Sequence, residues 1–257
     1  MNRFIVVAAV LAALTAPPAR SQTIETEIIV DGVYLRDSTQ RAQIKDMTMS
    51  VESYSRKLTG DGAIKEEKEF LKTDYMKDTL FRANFHEFYL DSVRQDSAAL
   101  AGQARDDADR RREGRFRDAN INPTEVFYPS HRSNYEFTLK GTETKEGRAC
   151  YHIVADCLVD KDSLLEGEYW YETEGMNLVY AEFRPARLRG ALKQLDMQMW
   201  YAPGPDGYWL PMKFHLLGRG RAMLVIKFNF EVAERYFDHK VNTGLTESFF
   251  KETTDEK

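Results

Sequence analysis

This chain's residue pattern predicts a mainly β protein, a curved antiparallel sheet or unclosed β barrel of about ten strands with one or two covering helices. Three observations carry that prediction. Apolar and polar residues alternate along segment after segment. Short clusters of turn residues separate those segments. The stretch "LDMQMWYAPGPDGYWLPMKFHLL", Leu195 to Leu217, folds about its Pro/Gly-rich middle into a hairpin with one oily and one mixed side.

The N-terminal stretch "MNRFIVVAAVLAALTAPPARS" has Arg3, an apolar run from Phe4 to Ala16, and Ala19-Arg20-Ser21 as a small-x-small site. That pattern predicts a secretory signal peptide over residues 1–21 and a periplasmic destination. No Cys follows the apolar run, which argues against a lipidated N-terminus, and no later run reaches the roughly 18 residues of a spanning helix. Residues 22–257 are expected to form a single β domain with a charged helical insertion at about 91–122.

Residues 24–40 read as a short helix, with Ile24, Ile28 and Leu35 roughly sharing a face and Gly32 interrupting it. "QIKDMTMSVESYSRKL" alternates as a strand with one slip in phase, and "TGDGA" turns at Asp61-Gly62. "KEEKEFLKTDYM" and "TLFRANFHEFYL" follow as strands. The interval "DSAALAGQARDDADRRREGRFRD", Asp96 to Asp118, reads as a helix: it is Ala-rich, with opposite charges four apart at Asp106/Arg110, Asp107/Arg111 and Glu113/Arg117. Interleaved acids nearly cancel its Arg cluster, so it reads as a solvated helix; contact of Arg110, Arg111, Arg112 and Arg115 with anionic lipid headgroups is the alternative. "NYEFTLKG", "ACYHIVADCLV", "GEYWYET", "NLVYAEF", the Leu195–Leu217 hairpin and "MLVIKFNFEVAERYF" complete the strands.

The two cysteines, Cys150 and Cys157, lie in one alternating segment. Seven strand residues separate their Cα atoms by roughly 23 Å, whereas a disulfide needs less than about 7 Å. The odd spacing also sends the thiols to opposite faces, so both read as small buried hydrophobes despite an oxidising compartment.

The turns set the strand registers. The hairpin places Tyr201 with Tyr208, Met199 with Leu210, Met197 with Met212 and Leu195 with Phe214 on the oily face. Trp200 with Trp209 and Asp196 opposite Lys213 fall on the mixed face. Reading "GRGRA" as the next turn pairs Leu217 with Met223, and so Phe214 with Ile226, Met212 with Phe228 and Leu210 with Phe230. The turn at Glu174-Gly175 sets Tyr171 with Leu178 and Tyr169 with Tyr180. Pro211 cannot donate to a ladder, which predicts a bulge or local edge there. The expected ligand face is therefore Met197, Met199, Tyr201, Leu210, Met212, Phe214, Ile226, Phe228, Phe230, Tyr169, Tyr171, Leu178 and Tyr180. Methionine suits surfaces that accept variable apolar ligands, although Met and Phe on the inner face of a strand also serve as plain core.

Charge and motifs narrow the function classes. Loss of residues 1–21 would remove Arg3 and Arg20 from 36 Lys+Arg, against 41 Asp+Glu, leaving about −7. An acidic balance lacks the basic footprint of sequence-independent nucleic-acid binding, so no nucleic-acid partner is expected. The five His are scattered, and there is no HExxH, GxSxG, P-loop or GxGxxG. Cys150, His152 and Asp156 share a strand but would need further ligands to hold zinc. Glu168 and Glu172 flank Trp170 as in sugar-cleaving sites, a spacing the two-residue period makes common. No catalytic residue, cofactor or metal is assigned. The rival readings are an envelope structural or partner-binding module using the Trp200/Trp209 face, and a hydrolase.

The succession "YEFTLKGTETKEGRACYHIVAD", "GEYWYETEGMNLVYAEF" and "LKQLDMQMWYAPGPDGYWLPMKF" resembles the bacterial outer-membrane lipoprotein-sorting proteins, the LolA/LolB-like superfamily, over residues 130–240. The matching features are a Gly turn between the strands ending at Lys140 and beginning near Cys150, a Tyr-Trp strand and hairpin, and the "GYWLP" strand start. The resemblance implies an unclosed antiparallel β barrel whose concave apolar face is capped by helices and receives acyl chains. It further implies lipid or lipoprotein acyl chains as ligands, and inner- or outer-membrane transport partners. The charged insertion at 91–122 departs from that pattern.

Overall fold

The period-two alternation becomes strands in the computed structural model, which describes residues 19–112, 122–161, 163–222 and 226–251. The bulk of the expected leader, residues 1–18, lies outside the described residues, as does the expected Glu113/Arg117 pair. The first four strands are β1 (Met47–Thr59), β2 (Ile64–Lys77), β3 (Leu80–Leu90) and β4 (Val93–Arg94). After helix α2 (Ser97–Arg112) come β5 (Tyr135–Lys145), β6 (Arg148–Cys157), β7 (Leu165–Glu172) and β8 (Leu178–Pro185). The last three are β9 (Leu192–Pro203), β10 (Trp209–Ala222) and β11 (Ile226–Val241). They form one 11-stranded sheet in the order β4-β3-β2-β1-β11-β10-β9-β8-β7-β6-β5, with antiparallel pairing throughout. The two ends, β4 and β5, do not pair, so the sheet is unclosed.

Helix α1 (Ala19–Gln43) covers one face of this sheet. It is longer than the sequence pattern suggests, and its buried stripe differs from the expected one. Ile28 and Leu35 are exposed at 64% and 65%, whereas Thr26, Ile29, Val30 and Val33 are buried. Those four positions follow the i, i+3, i+4, i+7 spacing of a single helical face. Burying each of its three aliphatic members stabilises the packing by about 2 kcal/mol. They meet Tyr169, Tyr171, Ile153, Phe183 and Met197 in the main core.

A second cover comes from a segment the alternation pattern left irregular. Pro123–Phe127 forms a 3-10 turn capped by Asn122, whose side chain accepts the Thr124 N–H. It drives Phe127 into the core, with ring centroids 5.0 Å from Tyr169, 5.3 Å from Tyr171 and 5.4 Å from Phe137. Helix α2 packs on β3, with Asp96 accepting the Ala99 N–H at its start. The short helix α3 (Glu247–Lys251) lies against Tyr75 and Arg82 through Phe249.

The rows across the covered, inner face are continuous. One runs Ile153, Tyr169, Ala181, Met199, Phe214, and the next runs Ala155, Gly167, Phe183, Met197, Leu216, Val232. The outer face carries His152, Trp170, Tyr180, Trp200, Lys213, Arg235 and Glu52 in one row.

Three registers differ from the turn-based expectation. "GRGRA" is not a turn. It lies in β10, where Gly218 and Gly220 stand opposite Phe230 and Phe228. An added Cβ at Gly218 or Gly220 would sit 2.1 Å from the ring tip of Phe230 or Phe228, so the glycines exist to let those rings lie across the strand. The β10–β11 pairing is consequently displaced, and Leu210 and Met212 do not meet Phe230 and Phe228. Second, the register slips between Pro211 and Lys213, so the expected bulge falls at Met212. The hairpin also begins three residues from the expected register, with Trp209 opposite Pro203, and the bulge adds one more, so Met199 faces Phe214, Met197 faces Leu216, and Lys213 faces Trp200 instead of Asp196. Third, a register shift beside Val179 puts Tyr180 opposite Trp170, on the outer face, and Ala181 opposite Tyr169.

Candidate functional site: a methionine-lined cavity beneath helix α1

The inward stripe of α1 changes character halfway along. From Thr26 to Val33 it is mostly apolar and closes onto the core. Three, four, seven and eight residues past Val33 it becomes Arg36, Asp37, Gln40 and Arg41, and there helix and sheet enclose a cavity of about 490 Å³. The cavity falls within the roughly 300–1,000 Å³ of ordinary small-ligand sites. Its walls come from β1 and β2 (Met47, Met49, Met76), the β7–β8 turn (Tyr171, Met176, Asn177, Leu178) and the β9–β10 hairpin (Met199, Tyr201, Trp209, Leu210). Five of the nine methionines line it.

Of the expected ligand-face residues, the structure brings Tyr171, Leu178, Met199, Tyr201 and Leu210 to this cavity. Tyr169 and Met197 are shut into the core beside it, at 0% and 2% exposure. Phe214 packs partly against both the main core and the smaller cluster of Met49, Val51 and Tyr236. Met212 is the half-buried bulge residue and does not line the cavity. Phe228 and Phe230 stack on each other, centroids 6.5 Å apart, over the glycines at the other end of β10. Ile226 opens β11 opposite Ala222.

Tyr180 is a correction: it belongs to the outer cluster with Trp170 and Trp200, at centroid distances of 5.3 and 4.9 Å. Lys145 lies over the Trp170 and Tyr180 rings, and Arg148 over Trp209. Trp209 is buried and donates its Nε1–H to the Leu178 carbonyl. Trp200 and Trp209 therefore do not pair across the strands: Trp209 stands opposite Pro203 and Trp200 opposite Lys213.

The polar wall of the cavity is built around Asp37. Its Oδ2 accepts from Arg41 Nε at 2.9 Å, Tyr128 Oη at 2.7 Å and Thr124 Oγ1 at 3.0 Å. Burial and the bond to Asp37 push the Tyr128 hydroxyl up to about 12. Burial works against the Arg41 cation, but Asp37 more than offsets it. Asp46 is likewise saturated, accepting from Thr243 N and Oγ1, Gly244 N and Leu245 N at 2.7–3.2 Å. Arg36 donates to Asn177 Oδ1 at 2.6 Å.

Deeper in, the Tyr171 hydroxyl is buried and meets no hydrogen-bond partner among the described residues. A buried hydroxyl left so costs about 1–3 kcal/mol. Burial raises its pKa well above the ordinary tyrosine value, so it stays protonated and available as a donor.

The rival sites come apart. Cys150 and Cys157 are free thiols on one strand, packed in the outer and inner clusters respectively. His152 is held by Glu168 at 2.7 Å and stacks on Trp170 at 4.3 Å. Glu172 accepts from Asn177 and Arg148, so the Glu168/Glu172 pair is already engaged. Among the described residues no three His, Cys, Asp or Glu side chains gather as a metal site. None of the described helices is long and apolar enough to cross a membrane.

Sequence pattern alone did not single out Arg36, Asp37, Gln40 or Arg41. The signal was present in the helical spacing that links Thr26, Ile29, Val30 and Val33 to them.

Fold and site together define an open antiparallel half-barrel with a helix-lidded apolar cavity. The chain is similar in structure to a DUF1329 family protein from Desulfovibrio piger, at 11% identity and a TM-score of 0.44, covering 89% of this chain and 98% of that one. It is also similar to a proposed outer membrane lipoprotein-sorting protein domain from Vibrio parahaemolyticus, at 12% identity, TM-score 0.41, and 88% and 98% coverage. A third is a LolA superfamily protein from Nitrosomonas europaea, at 12% identity, TM-score 0.35, and 88% and 96% coverage. No protein-family model and no curated protein matches the chain.

Proposed function

We propose that this is an exported envelope protein that holds a lipid, lipoprotein acyl chains or another hydrophobic ligand in the cavity beneath α1, serving lipoprotein sorting or transport without chemistry of its own. The observation that carries the reading is the cavity itself: about 490 Å³, lined by five methionines, and roofed by a helix whose stripe closes the core on one side and opens over the space on the other. Flexible thioether side chains can repack around chains of different length and branching. The signal-peptide anatomy of residues 1–21 supports the periplasm as the place of action.

Native mass spectrometry of protein purified from its own envelope tests this. A co-purifying lipid mass, lost on delipidation, is the expected result. A clean apo mass, or one carrying a metal, would overturn it.

A further inference from the structure

The cavity is lined by methionines and aromatic rings from the sheet and by charged side chains from α1 and the rim, and that asymmetry says what its ligand must carry. Resting on the lipid-binding reading above, we infer that the ligand is an anionic amphiphile, an acyl chain bearing an oxyanion head, and that Arg36 and the Tyr171 hydroxyl receive that head while the chain lies along the methionines.

Four observations converge. The first is the pairing of charge at the mouth. Arg36, Lys45 and Lys77 line the cavity, and none of them has a carboxylate partner among the described residues. Of the acids there, Asp37 pairs with Arg41, and both oxygens of Asp46 accept from their own chain. Asp78 and Glu125 remain at the rim. The formal charges of the lining balance, Arg36, Arg41, Lys45 and Lys77 against Asp37, Asp46, Asp78 and Glu125, but of the four cations only Arg41 is paired with an acid among the described residues.

The second is the orientation of Arg36. Asn177 accepts its Nε–H at 2.6 Å, and Asn177 in turn donates to Glu172. A guanidinium fixed through Nε presents its two terminal nitrogens as a fork, the geometry that matches a carboxylate or phosphate. Asn177 immediately precedes Leu178, the strand partner of Tyr171, so the fork and the Tyr171 ring belong to one corner of the cavity.

The third is Tyr171. It is 2% exposed, it lines the cavity, and its hydroxyl has no partner among the described residues. A pure hydrocarbon ligand would leave that donor unmet, whereas a ligand oxygen would satisfy it.

The fourth is the sequence of the lid. The inward stripe of α1 is aliphatic at Ile29, Val30 and Val33 and turns polar from Arg36 onward, where the cavity begins. Asp37 and Arg41 are engaged there with each other and, through Asp37, with Tyr128 and Thr124, and Gln40 with Trp209, which leaves Arg36, held only through Nε by Asn177, as the residue of that stripe with donors to offer.

The test compares palmitate with its neutral methyl ester, bound to the delipidated protein and followed by isothermal titration, with circular dichroism as the check on folding. The wild type is expected to bind palmitate roughly tenfold more tightly than methyl palmitate, with a preference that shrinks as salt is raised. Arg36→Gln should abolish the preference and leave methyl palmitate within roughly twofold of wild type, while Arg36→Lys should restore part of it. Tyr171→Phe should weaken both ligands several-fold, because the ester carbonyl also accepts a hydrogen bond. Equal affinities in the wild type, or an acid preference that survives Arg36→Gln, would overturn the anionic-head assignment and leave the lipid-binding reading standing. Failure of the folded wild type to bind either ligand would overturn both.

Discussion

Gln40 and Trp209 exchange two hydrogen bonds. Gln40 Nε2 donates to the Trp209 carbonyl at 2.8 Å, and the Trp209 N–H donates to Gln40 Oε1 at 2.7 Å. One side chain thus completes the start of β10 as another strand would, tying the polar half of the lid to the hairpin that forms the cavity's far wall. Gln40→Ala removes both bonds and leaves two backbone groups to find water. A loss of about 1–2 kcal/mol is expected, which for a chain of this size moves Tm down by roughly 3–6 °C. Gln40→Glu keeps the acceptor but loses the donor and should fall between wild type and Ala in urea melts.

Gly218 and Phe230 form a second fitted pair. A Cβ at Gly218 would lie 2.1 Å from the ring of Phe230, so Gly218→Ala must push that ring off the strand. A cost of about 1–2 kcal/mol is expected. In the Phe230→Ala background the same change should be nearly free, and a double-mutant cycle in urea would show the coupling. Additive effects would contradict the ring-over-glycine packing.

That pair also shows where sequence reading stops. The alternation of β1 to β3 and β5 to β11, the Asp61-Gly62 turn, the separation of Cys150 from Cys157 and the bulge after Pro211 all follow from local rules, and they hold. "GRGRA" obeys the local rule for a turn equally well, and only the aromatic side chains across the ladder make its glycines strand residues. The displacement is an even number of residues, so Phe228 and Phe230 keep their face but lose their expected neighbours. Tyr180 fails differently. The extra residue Val179 turns it to the other face, and nothing in "NLVYAEF" announces that bulge. The cavity was half legible for a related reason. Its floor is written in strand periodicity, while its roof depends on which stripe of α1 faces the sheet, a choice made by tertiary packing.

The two thiols should remain free under oxidising conditions. Both lie on β6, on opposite faces, and burial raises the Cys150 thiol above its ordinary range. Reducing and non-reducing gels should show the same monomer mobility. Cys150 should label with a maleimide after unfolding and not before. An intramolecular bridge would require a turn within "CYHIVADC" and contradict the strand.

Asp46 should set part of the acid limb of stability. Burial pushes its carboxyl up, but bonds from Thr243, Gly244 and Leu245 more than offset this and hold it below the ordinary carboxylate range. A depressed native pKa contributes stability that is present above the unfolded value, near 4, and is lost as pH falls through the native value. Asp46→Asn should therefore destabilise the protein at neutral pH by about 2 kcal/mol, and the gap to wild type should narrow below about pH 4. A gap that is constant across that range would mean the carboxylate's charge does not matter there.

Met197 and Met199 sit two residues apart on the inner face of β9, and they should respond oppositely to the same substitution. Met197 is 2% exposed, held between Phe183 and Leu216 in a closed core. Met199 is half-buried and lines the cavity. An unpaired carboxylate in the closed core costs several kcal/mol, comparable to the roughly 5–15 kcal/mol that holds a domain folded. Met197→Asp should consequently unfold the chain or lower its melt severely. At position 199 the carboxylate can stay hydrated in the open cavity, so Met199→Asp should melt near wild type yet lose binding of a fluorescent fatty-acid analogue by at least roughly tenfold, since it meets the chain with charge. Met212→Asp is the control. The bulge takes that side chain out of the cavity lining, so it should leave binding within roughly twofold of wild type despite its place on the same apolar hairpin. Circular dichroism melts run beside the binding titrations read all three. Retained binding with a normal melt in Met199→Asp would remove Met199, and with it this cavity, from the ligand site.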